Sequence, residues 1–220
     1  MRFWMYVLLA LWKGGSGWAQ SVRAIFPQSS SSINWQVLLE DPARDAYQKP
    51  DELLDWVDEQ VGGLRGKKVY DLGAGTGYFS YRFIKRGASV IAVDIEDSLL
   101  RYMERRRDSL GISPKQWQIR KVKPDRPDLV RGEVDIVFLA NVYHHLSHRV
   151  AYLRQLHAAL PKSGKIVIIE WVPRSTPVGP PVGQRLFPAQ VENELQRAGF
   201  SEVSLREDLL PYHYILIGQP

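Results

Sequence analysis

Apolar stretches of strand length and amphipathic stretches of helical spacing alternate along most of the chain. The strand-like runs are rich in β-branched residues and lie at 88–94, 116–122, 134–140 and 165–171. Apolar positions with helical spacing occupy the intervals at 78–86, 96–110 and 147–160. This alternation predicts buried parallel strands, with helices on both faces of the sheet and right-handed crossovers between them.

The pattern changes near the end of the chain. A helical stretch at 188–198 precedes two strand-like runs, 201–207 and 212–218, which a short turn at 208–211 connects. Two runs joined so closely form a hairpin, which places one antiparallel strand in the sheet. With the run 69–72, the predicted fold class is a doubly wound α/β domain. Its seven-stranded sheet is mostly parallel, with an antiparallel C-terminal hairpin strand.

One or two helices are expected before the first strand. Pro50 begins a typical helix start, Leu53, Leu54 and Val57 supply an apolar side, and Gly62 is a typical helix end. Residues 20–34 are rich in serine and lack periodicity, so they are predicted to be a flexible linker.

The first residues have the three parts of a secretory signal peptide. Arg2 precedes an apolar run, and small residues follow it, so cleavage is expected after Ala19. Export, to the periplasm or the medium, follows if residues 1–19 are such a signal; otherwise the protein is cytoplasmic. The alternative is a poorly ordered tail or a misassigned start. The run is shorter than the about 20 residues that a membrane span requires, so no stable membrane span is expected.

Composition narrows the classes of function. A chain of 220 residues accommodates one well-buried domain, and the absence of cysteine excludes disulfides, thiolate metal sites and cysteine nucleophiles. The formal net charge is +5, and cleavage after Ala19 would lower it to +3 by removing Arg2 and Lys13. Because the basic residues are spread along the chain, no nucleic-acid partner is expected.

A glycine-rich loop follows the first predicted strand. Gly73, Gly75 and Gly77 allow backbone amides to approach a ligand at the start of a helix, where N–H groups are unpaired. Asp71 precedes the loop and Asp94 ends the next strand, near the usual position of a ribose-binding carboxylate. The dinucleotide fingerprint would need a third glycine at Tyr78, which disfavours a nicotinamide-dependent oxidoreductase.

The motifs VYDLGAGTGY at 69–78, IAVD at 91–94, DIVFLANVYHHL at 135–146 and LPKSGK at 160–165 carry a family resemblance. With them, residues 35–220 resemble the class I S-adenosylmethionine-dependent methyltransferases, specifically the small-molecule group similar to the ubiquinone and menaquinone methyltransferases. The resemblance implies a Rossmann-like fold, S-adenosyl-L-methionine as cofactor and a helical lid at 35–62.

The resemblance also implies cofactor contacts. The loop residues Gly73, Ala74, Gly75, Thr76 and Gly77, together with Asp71, lie against the methionine portion; Asp94 holds the ribose diol and Ile95 packs on the adenine. Tyr47 and Gln48 of the lid are further candidate contacts, with a surface helix end as the alternative. The family's polar adenine contact after the third strand has no clear counterpart at 122–125.

Candidate catalytic groups follow the fourth strand. Asn141 is expected near the methionine end of the cofactor, and Tyr143, His144 or His145 face the acceptor. A neutral imidazole can take a proton from an acceptor hydroxyl, although alignment alone can also drive methyl transfer. The alternatives are that the histidines shape the pocket and that Tyr143 is core packing. No metal site is expected, because no carboxylate cluster accompanies the histidines.

The stretch 172–185 lacks periodicity and is a candidate substrate loop, in which Arg185 could meet an anionic acceptor or be solvated. The predicted function is S-adenosylmethionine-dependent methyl transfer to an unidentified small-molecule substrate. The main alternative is a non-catalytic protein that binds or senses S-adenosylmethionine. The sequence leaves the oligomeric state open.

Overall fold

The computed structural model describes residues 35–220, so the predicted signal peptide and linker lie outside the described residues. The strands within this range are β1 Lys68–Leu72, β2 Ser89–Asp94, β3 Trp117–Lys121, β4 Ile136–Ala140, β5 Lys165–Trp171, β6 Ser201–Arg206 and β7 His213–Gln219. They form one sheet in the order β3-β2-β1-β4-β5-β7-β6. Strands β1 to β5 are parallel, whereas β7 is antiparallel to β5 and β6. The predicted fold class is confirmed.

The helices of this range are α1 Trp35–Leu39, α2 Arg44–Gln48, α3 Pro50–Val61, α4 Tyr78–Lys85, α5 Asp97–Ser109, α6 Arg149–Ala159 and α7 Pro188–Ala198. Two 3₁₀ turns, Tyr143–His145 and Val182–Gln184, lie in the connections after β4 and β5. The bounds of α4 to α7 lie within two residues of those predicted. None of the helices between residues 35 and 220 has the length and apolar character needed to cross a membrane.

The central strands are buried on both faces, which explains why their sequences are continuously apolar. Residues 136–139 of β4 and 166–171 of β5 are all buried. By contrast, β6 is an edge strand with mostly exposed or half-buried residues, and its Glu202 and Arg206 place charges on that edge. Charged side chains on an edge strand discourage pairing with other chains.

Two apolar cores lie on opposite faces of the sheet. One contains Leu53 of α3, Phe83 of α4 and Met103 of α5, and the other contains Leu153 of α6 and Leu195 of α7. All five side chains have no exposed surface. Helices therefore cover both faces, as the sequence predicts for a doubly wound sheet.

The N-terminal helices divide into a core element and a covering element. Leu53, Leu54 and Val57 of α3 are completely buried, and Pro50 and Gly62 bound this helix as predicted. The segment α1–α2 instead lies over the glycine loop, where Leu39 is close to Gly75. Within the predicted lid at 35–62, the part that covers the loop is therefore α1–α2.

Replacing Leu153 tests how much the core beneath α6 contributes to stability. Leu153→Ala removes a fully buried side chain, so it should lower the free energy of unfolding by about 2–5 kcal/mol. Leu205→Ala, at a position 41% exposed on β6, should cost less than about 1 kcal/mol. Urea unfolding followed by circular dichroism measures both. Equal losses would contradict the assignment of Leu153 to the core.

Candidate active site

The glycine loop lies where the strand order reverses. β1 pairs with β2 on one side and with β4 on the other, so the connections after β1 and β4 leave the sheet in opposite directions. A crevice forms at such a switch point, outside the carboxyl ends of the strands. The loop from Gly73 to Gly77 and the turn that begins at Asn141 border this crevice.

Gly77 is fixed by close packing at the start of α4. Its φ is +77°, in the left-handed region, and a Cβ atom there would overlap the indole of Trp117 and approach Met103 Cγ at 3.3 Å. A side chain would therefore incur backbone strain and a steric clash. Gly73 and Gly75 also have positive φ values, so the loop has the conformation that its glycines predict.

Asp94 holds the glycine loop from the end of β2. Its Oδ2 accepts a hydrogen bond from the Gly75 amide at 2.9 Å, and its Oδ1 accepts from the amides of Ile95 at 2.8 Å and Glu96 at 3.1 Å. Burial raises the pKa of Asp94, and these three amides oppose that shift. Oδ1 accepts two of these bonds and Oδ2 only one, so Oδ2 retains a lone pair that can accept from a ligand hydroxyl.

Ile95 is an exposed apolar side chain beside this carboxylate. It is 41% exposed directly after β2. This position is compatible with the predicted packing on an adenine, which stays a prediction.

Asp71 is buried at the carboxyl end of β1. The Ser80 hydroxyl donates to its Oδ2 at 2.5 Å. Burial raises the pKa of Asp71 to about 6, and the Ser80 hydrogen bond and the positive charge of Arg44 partly oppose this shift. A carboxylate that is costly to ionise here favours a cationic partner.

The segment α1–α2 is attached to the loop region by polar and aromatic contacts. The Arg44 guanidinium lies 4.0 Å from the centre of the Tyr78 ring and donates to the Leu39 carbonyl at 2.9 Å. Asp45 accepts from the Tyr78 hydroxyl, and Glu40 pairs with Arg106 at 2.7 Å. Arg44 is only 8% exposed, a burial that no local sequence pattern predicts.

Two buried polar atoms beside the crevice have no hydrogen-bond partner among the described residues. They are Oδ1 of Asn141 and Oγ1 of Thr76. Asn141 has a φ of +60°, and its backbone amide donates to the Ile169 carbonyl at 2.9 Å. Unpaired buried polar atoms are uncommon, and at a crevice they point to a ligand. With the glycine loop and Asp94, they fit a nucleoside-containing cofactor.

His144 is held by a buried carboxylate. Its Nδ1 lies 2.8 Å from Oε2 of Glu170, and its backbone amide donates to Oε1 at 3.1 Å. Glu170 is completely buried at the end of β5, next to the turn that carries His144. The carboxylate fixes both the orientation and the tautomer of this imidazole.

His145 differs from its neighbour. Its ring lies 3.9 Å from the His144 ring, centre to centre, and one side of the residue is exposed. Partial burial and the neighbouring His144 lower the pKa of His145 to about 4. His145 is therefore neutral at pH 7 but is a weaker base than free imidazole.

Tyr143 lies in the core rather than on the crevice surface. It is completely buried, and its hydroxyl donates to Oε2 of Glu194 on α7 at 2.5 Å. Arg149 pairs with both carboxylate oxygens of Glu194 at 2.8 Å. The structure therefore favours the core-packing alternative for Tyr143, which anchors the turn to α7.

Tyr47 and Gln48 belong to an aromatic cluster at the ends of β5 and β7. The Tyr47 ring is stacked on His213 with ring centres 6.1 Å apart, and it lies 5.8 Å from Trp171. Gln48 is 1% exposed, so the alternative of a surface helix end does not hold for it. Neither residue contacts the glycine loop through a described hydrogen bond, and their predicted role as cofactor contacts stays untested.

The solvated interpretation of Arg185 is wrong, whereas contact with an anionic acceptor stays a prediction. The side chain is 7% exposed and donates to the carbonyls of Pro180 at 2.8 Å, Val172 at 3.1 Å and Arg174 at 2.7 Å. A guanidinium with these partners stabilises the loop after β5 and does not face solvent. Its role could not be predicted because its partners are main-chain carbonyls.

Two carboxylates of the site were missed in the sequence. Glu170 interrupts the apolar run of β5 one residue before its end, and an acidic residue there was a usable signal. Glu194 lies in an amphipathic helix and gave no such signal. Among residues 35–220, no group of three or more potential ligating side chains is placed to hold a metal ion.

Substituting Gly77 tests the packing beneath the loop. Gly77→Ala should destabilise the protein by about 2–5 kcal/mol, because strain adds to the clash with Trp117. Gly62→Ala is a matched control with a similar φ of +69° and no atom within 4 Å of the added Cβ, so it should cost only about 1–2 kcal/mol. Urea unfolding of both variants measures the difference. Equal losses would show that the Trp117 contact imposes no constraint.

The comparisons with known proteins agree with this geometry. A family described as a methyltransferase domain matches residues 70–166. The ubiquinone biosynthesis O-methyltransferase of Acinetobacter baylyi is 25% identical over 73% of this chain and 73% of its own length. That of Pseudomonas aeruginosa is 27% identical over 52% of this chain but only 48% of its own length.

A solved structure shows the same fold. It is a methyltransferase dependent on S-adenosylmethionine from Aquifex aeolicus, with a TM-score of 0.73 and 24% identity over 82% of this chain and 94% of that one. The cofactor class that the resemblance implies is confirmed, and the nicotinamide alternative is set aside. The matched domain and these relatives identify the chain as a methyltransferase dependent on S-adenosylmethionine.

Proposed function

We propose that this methyltransferase transfers a methyl group to a hydroxyl oxygen of a small, ring-bearing acceptor, with His144 as the general base. The contact between His144 and Glu170 carries the proposal. A buried carboxylate 2.8 Å from Nδ1 accepts a hydrogen bond from that nitrogen and so favours the tautomer that carries its proton there. The lone pair of Nε2 is then available to accept a proton.

The arrangement meets the requirements of a general base whose orientation is set by a neighbouring carboxylate. Glu170 also accepts from the His144 backbone amide at 3.1 Å, which fixes the carboxylate itself. Hydroxyl groups are weak nucleophiles until an adjacent base removes the proton, and an oriented histidine is the commonest such base. His145, with a pKa near 4, is less suited to this role.

Residues around the switch point would hold the cofactor. The loop from Gly73 to Gly77, Asp94, Ile95 and the unpartnered Oδ1 of Asn141 are the candidate contacts, and Asp71 would offset positive charge at the methionine end. When bound, S-adenosylmethionine would supply the methyl group of its sulfonium sulfur, and the neutral thioether that remains would be the leaving group. The chain's own contribution is to align the acceptor oxygen and to receive its proton at His144.

Two observations support a ring-bearing oxygen acceptor. Tyr47, Trp171 and His213 form an aromatic cluster at the ends of β5 and β7, and aromatic side chains are common walls of sites for planar ligands. The relatives from Acinetobacter baylyi and Pseudomonas aeruginosa are named for O-methylation in ubiquinone biosynthesis. An oxygen acceptor agrees with a site that contains a base.

Substitutions in the His144–Glu170 pair test the mechanism. His144→Asn and Glu170→Gln should lower kcat for a phenolic acceptor by about 10²- to 10⁴-fold, because proton removal is lost or misdirected. Affinity for S-adenosylhomocysteine should change less than threefold in both variants. Release of S-adenosylhomocysteine, measured with a panel of phenols, thiols and amines, gives kcat, and calorimetry gives the affinity.

His148→Asn is the matched control, because His148 is an exposed histidine in the same connection with a φ of +51° that asparagine tolerates. Its kcat should equal that of the unmodified protein. Unchanged kcat in His144→Asn would refute the role of His144 as a base. Cofactor binding without turnover of any acceptor would favour the alternative of a binding or sensing protein.

The pKa of Asp71 predicts how cofactor affinity depends on pH. Burial raises this pKa from 3.8 to about 6, so the ligand-free protein holds the proton below pH 6 and loses stability as pH rises between about 4 and 6. A cationic ligand favours the ionised carboxylate. Affinity for S-adenosylmethionine should therefore rise about tenfold between pH 5 and pH 7.

Calorimetry at several pH values measures this dependence. Asp71→Asn should largely remove it, whereas Asp208→Asn, at an exposed carboxylate whose side chain is 79% accessible, should leave it intact. A pH dependence that persists in Asp71→Asn would assign it to another group and contradict the proposed contact.

A further inference from the structure

One buried carboxylate contacts both ends of the segment that carries His144. Glu194 of α7 is 9% exposed, and its Oε2 accepts a hydrogen bond from the Tyr143 hydroxyl at 2.5 Å. The same carboxylate accepts from Nε and Nη2 of Arg149, each at 2.8 Å. Tyr143 directly precedes His144, and Arg149 is the first residue of α6. Glu194 therefore ties both ends of the segment 143–149 to α7.

The accepting capacity of this carboxylate is fully used. Gln190, one turn earlier in α7, donates to Oε1 at 3.2 Å, so each oxygen of Glu194 accepts two hydrogen bonds. Burial alone would raise the pKa of Glu194, but the hydrogen bonds from Arg149, Tyr143 and Gln190 outweigh it and lower this pKa. A largely buried, ionised carboxylate with four hydrogen bonds is a rigid anchor, because any rotation would leave charge unpaired.

The backbone of this segment depends on contacts from outside it. Asn141 and His148 have φ values of +60° and +51°, which are uncommon for residues other than glycine. Such conformations persist where the surrounding structure holds them. The 3₁₀ turn is closed by short-range bonds, such as that from the Leu146 amide to the Tyr143 carbonyl at 3.1 Å. These bonds act within the turn and do not fix it relative to the helices.

The contact with Glu170 fixes the His144 ring at one group only. Nδ1 and the backbone amide of His144, at 2.8 Å and 3.1 Å, both bond to this one carboxylate. A segment held at a single carboxylate after β4 keeps the freedom to pivot about it. The Tyr143 side chain is completely buried and bonds to α7, so Glu194 supplies a second fixed position one residue away.

We propose that Glu194, Tyr143 and Arg149 are positioning residues, which hold Nε2 of His144 within hydrogen-bonding distance of the acceptor hydroxyl. The proposal rests on the proposed function, because the network acts on the reaction through His144. A displacement of about 1 Å at a reacting group can lower a rate about 10²-fold, so a network that does not touch the acceptor can still set kcat.

Two phenols of different acidity test this role. At a pH between their pKa values, 4-nitrophenol is ionised and has no proton to remove, whereas phenol retains its proton. Tyr143→Phe and Glu194→Gln should each lower kcat for phenol about 10- to 100-fold, because a displaced base receives the proton poorly. The kcat for 4-nitrophenol, KM and S-adenosylhomocysteine affinity should change less than threefold. Equal losses of kcat with both phenols, or no loss with phenol, would overturn the proposal.

Tyr152→Phe is the matched control. Tyr152 of α6 is 2% exposed in the same apolar core as Tyr143, but its hydroxyl has no hydrogen-bond partner among residues 35–220. The substitution should leave kcat for both phenols unchanged. Melting temperature shows whether each variant is folded, and Tyr143→Phe alone carries the test if Glu194→Gln does not fold.

A double-mutant cycle shows whether the network acts through His144. Adding Tyr143→Phe to His144→Asn should cause no further loss of kcat for phenol, because the base that Tyr143 positions is already absent. Losses that multiply would show that the network affects turnover by another route, and they would overturn the proposal.

A second measurement needs no acceptor. With ¹⁵N-labelled histidine, the Nδ1 and Nε2 shifts of His144 report its tautomer, and the spectrum of His144→Asn identifies them. Tyr143→Phe and Glu194→Gln should move both shifts toward those of a mixture of tautomers, because a turn that pivots weakens the contact with Glu170. Tyr152→Phe should not move them. Unchanged His144 shifts in both network variants would overturn the proposal.

The outcomes separate this proposal from the proposed function. If His144→Asn lowers kcat for both phenols equally, or if the unmodified protein methylates neither, the proposed function fails, and the imidazole shifts alone decide the positioning role. If His144→Asn selectively lowers kcat for phenol but Tyr143→Phe and Glu194→Gln do not, only the positioning role is contradicted.

Discussion

The parallel pairing of β1 with β4 is the constraint on which the site depends. Tyr70 lies opposite Val137 and Leu72 opposite Leu139, so the two strands end side by side while their connections leave in opposite directions. The glycine loop and the Asn141 turn meet for that reason, and every candidate cofactor contact after β1 or β4 follows from it. Packing of Trp117 under Gly77 then holds the loop in position.

Buried polar groups concentrate at this one edge of an otherwise apolar sheet. Asp71, Glu170 and His213 are each at most 3% exposed, and each lies near the crevice end of its strand. Burial of such groups disfavours their charged forms, which is visible in the pKa values of Asp71 and His213. The apolar cores stabilise the fold, so this edge can hold groups that a core would exclude.

The sequence was sufficient for the elements because their signals are local. The apolar run of β5 and the amphipathic run of α7 give the observed bounds directly, and the glycines of the loop adopt the positive φ values expected. Contacts between distant residues had no such signal. Gln48 and His213 are separated by 165 positions. Tyr143 contacts Glu194 on α7, a helix that the sequence predicts without indicating which residues its polar side contacts. The burial of Arg185 had no sequence signal, because its partners are backbone carbonyls, which are present at every position.

The alternation of β5 separates the two tasks that the proposed function requires. Glu170 points to the face of the His144 turn, and Trp171 points to the face of α2. Neighbouring strand residues cannot exchange faces without a shift of register, so the base and the aromatic cluster of Tyr47, Trp171 and His213 stay on opposite faces of β5. Substitutions around Trp171 and His213 can therefore alter which acceptor fits while the His144–Glu170 contact is preserved. A fold used for many acceptors benefits from such a separation, because specificity then changes without loss of the proton acceptor.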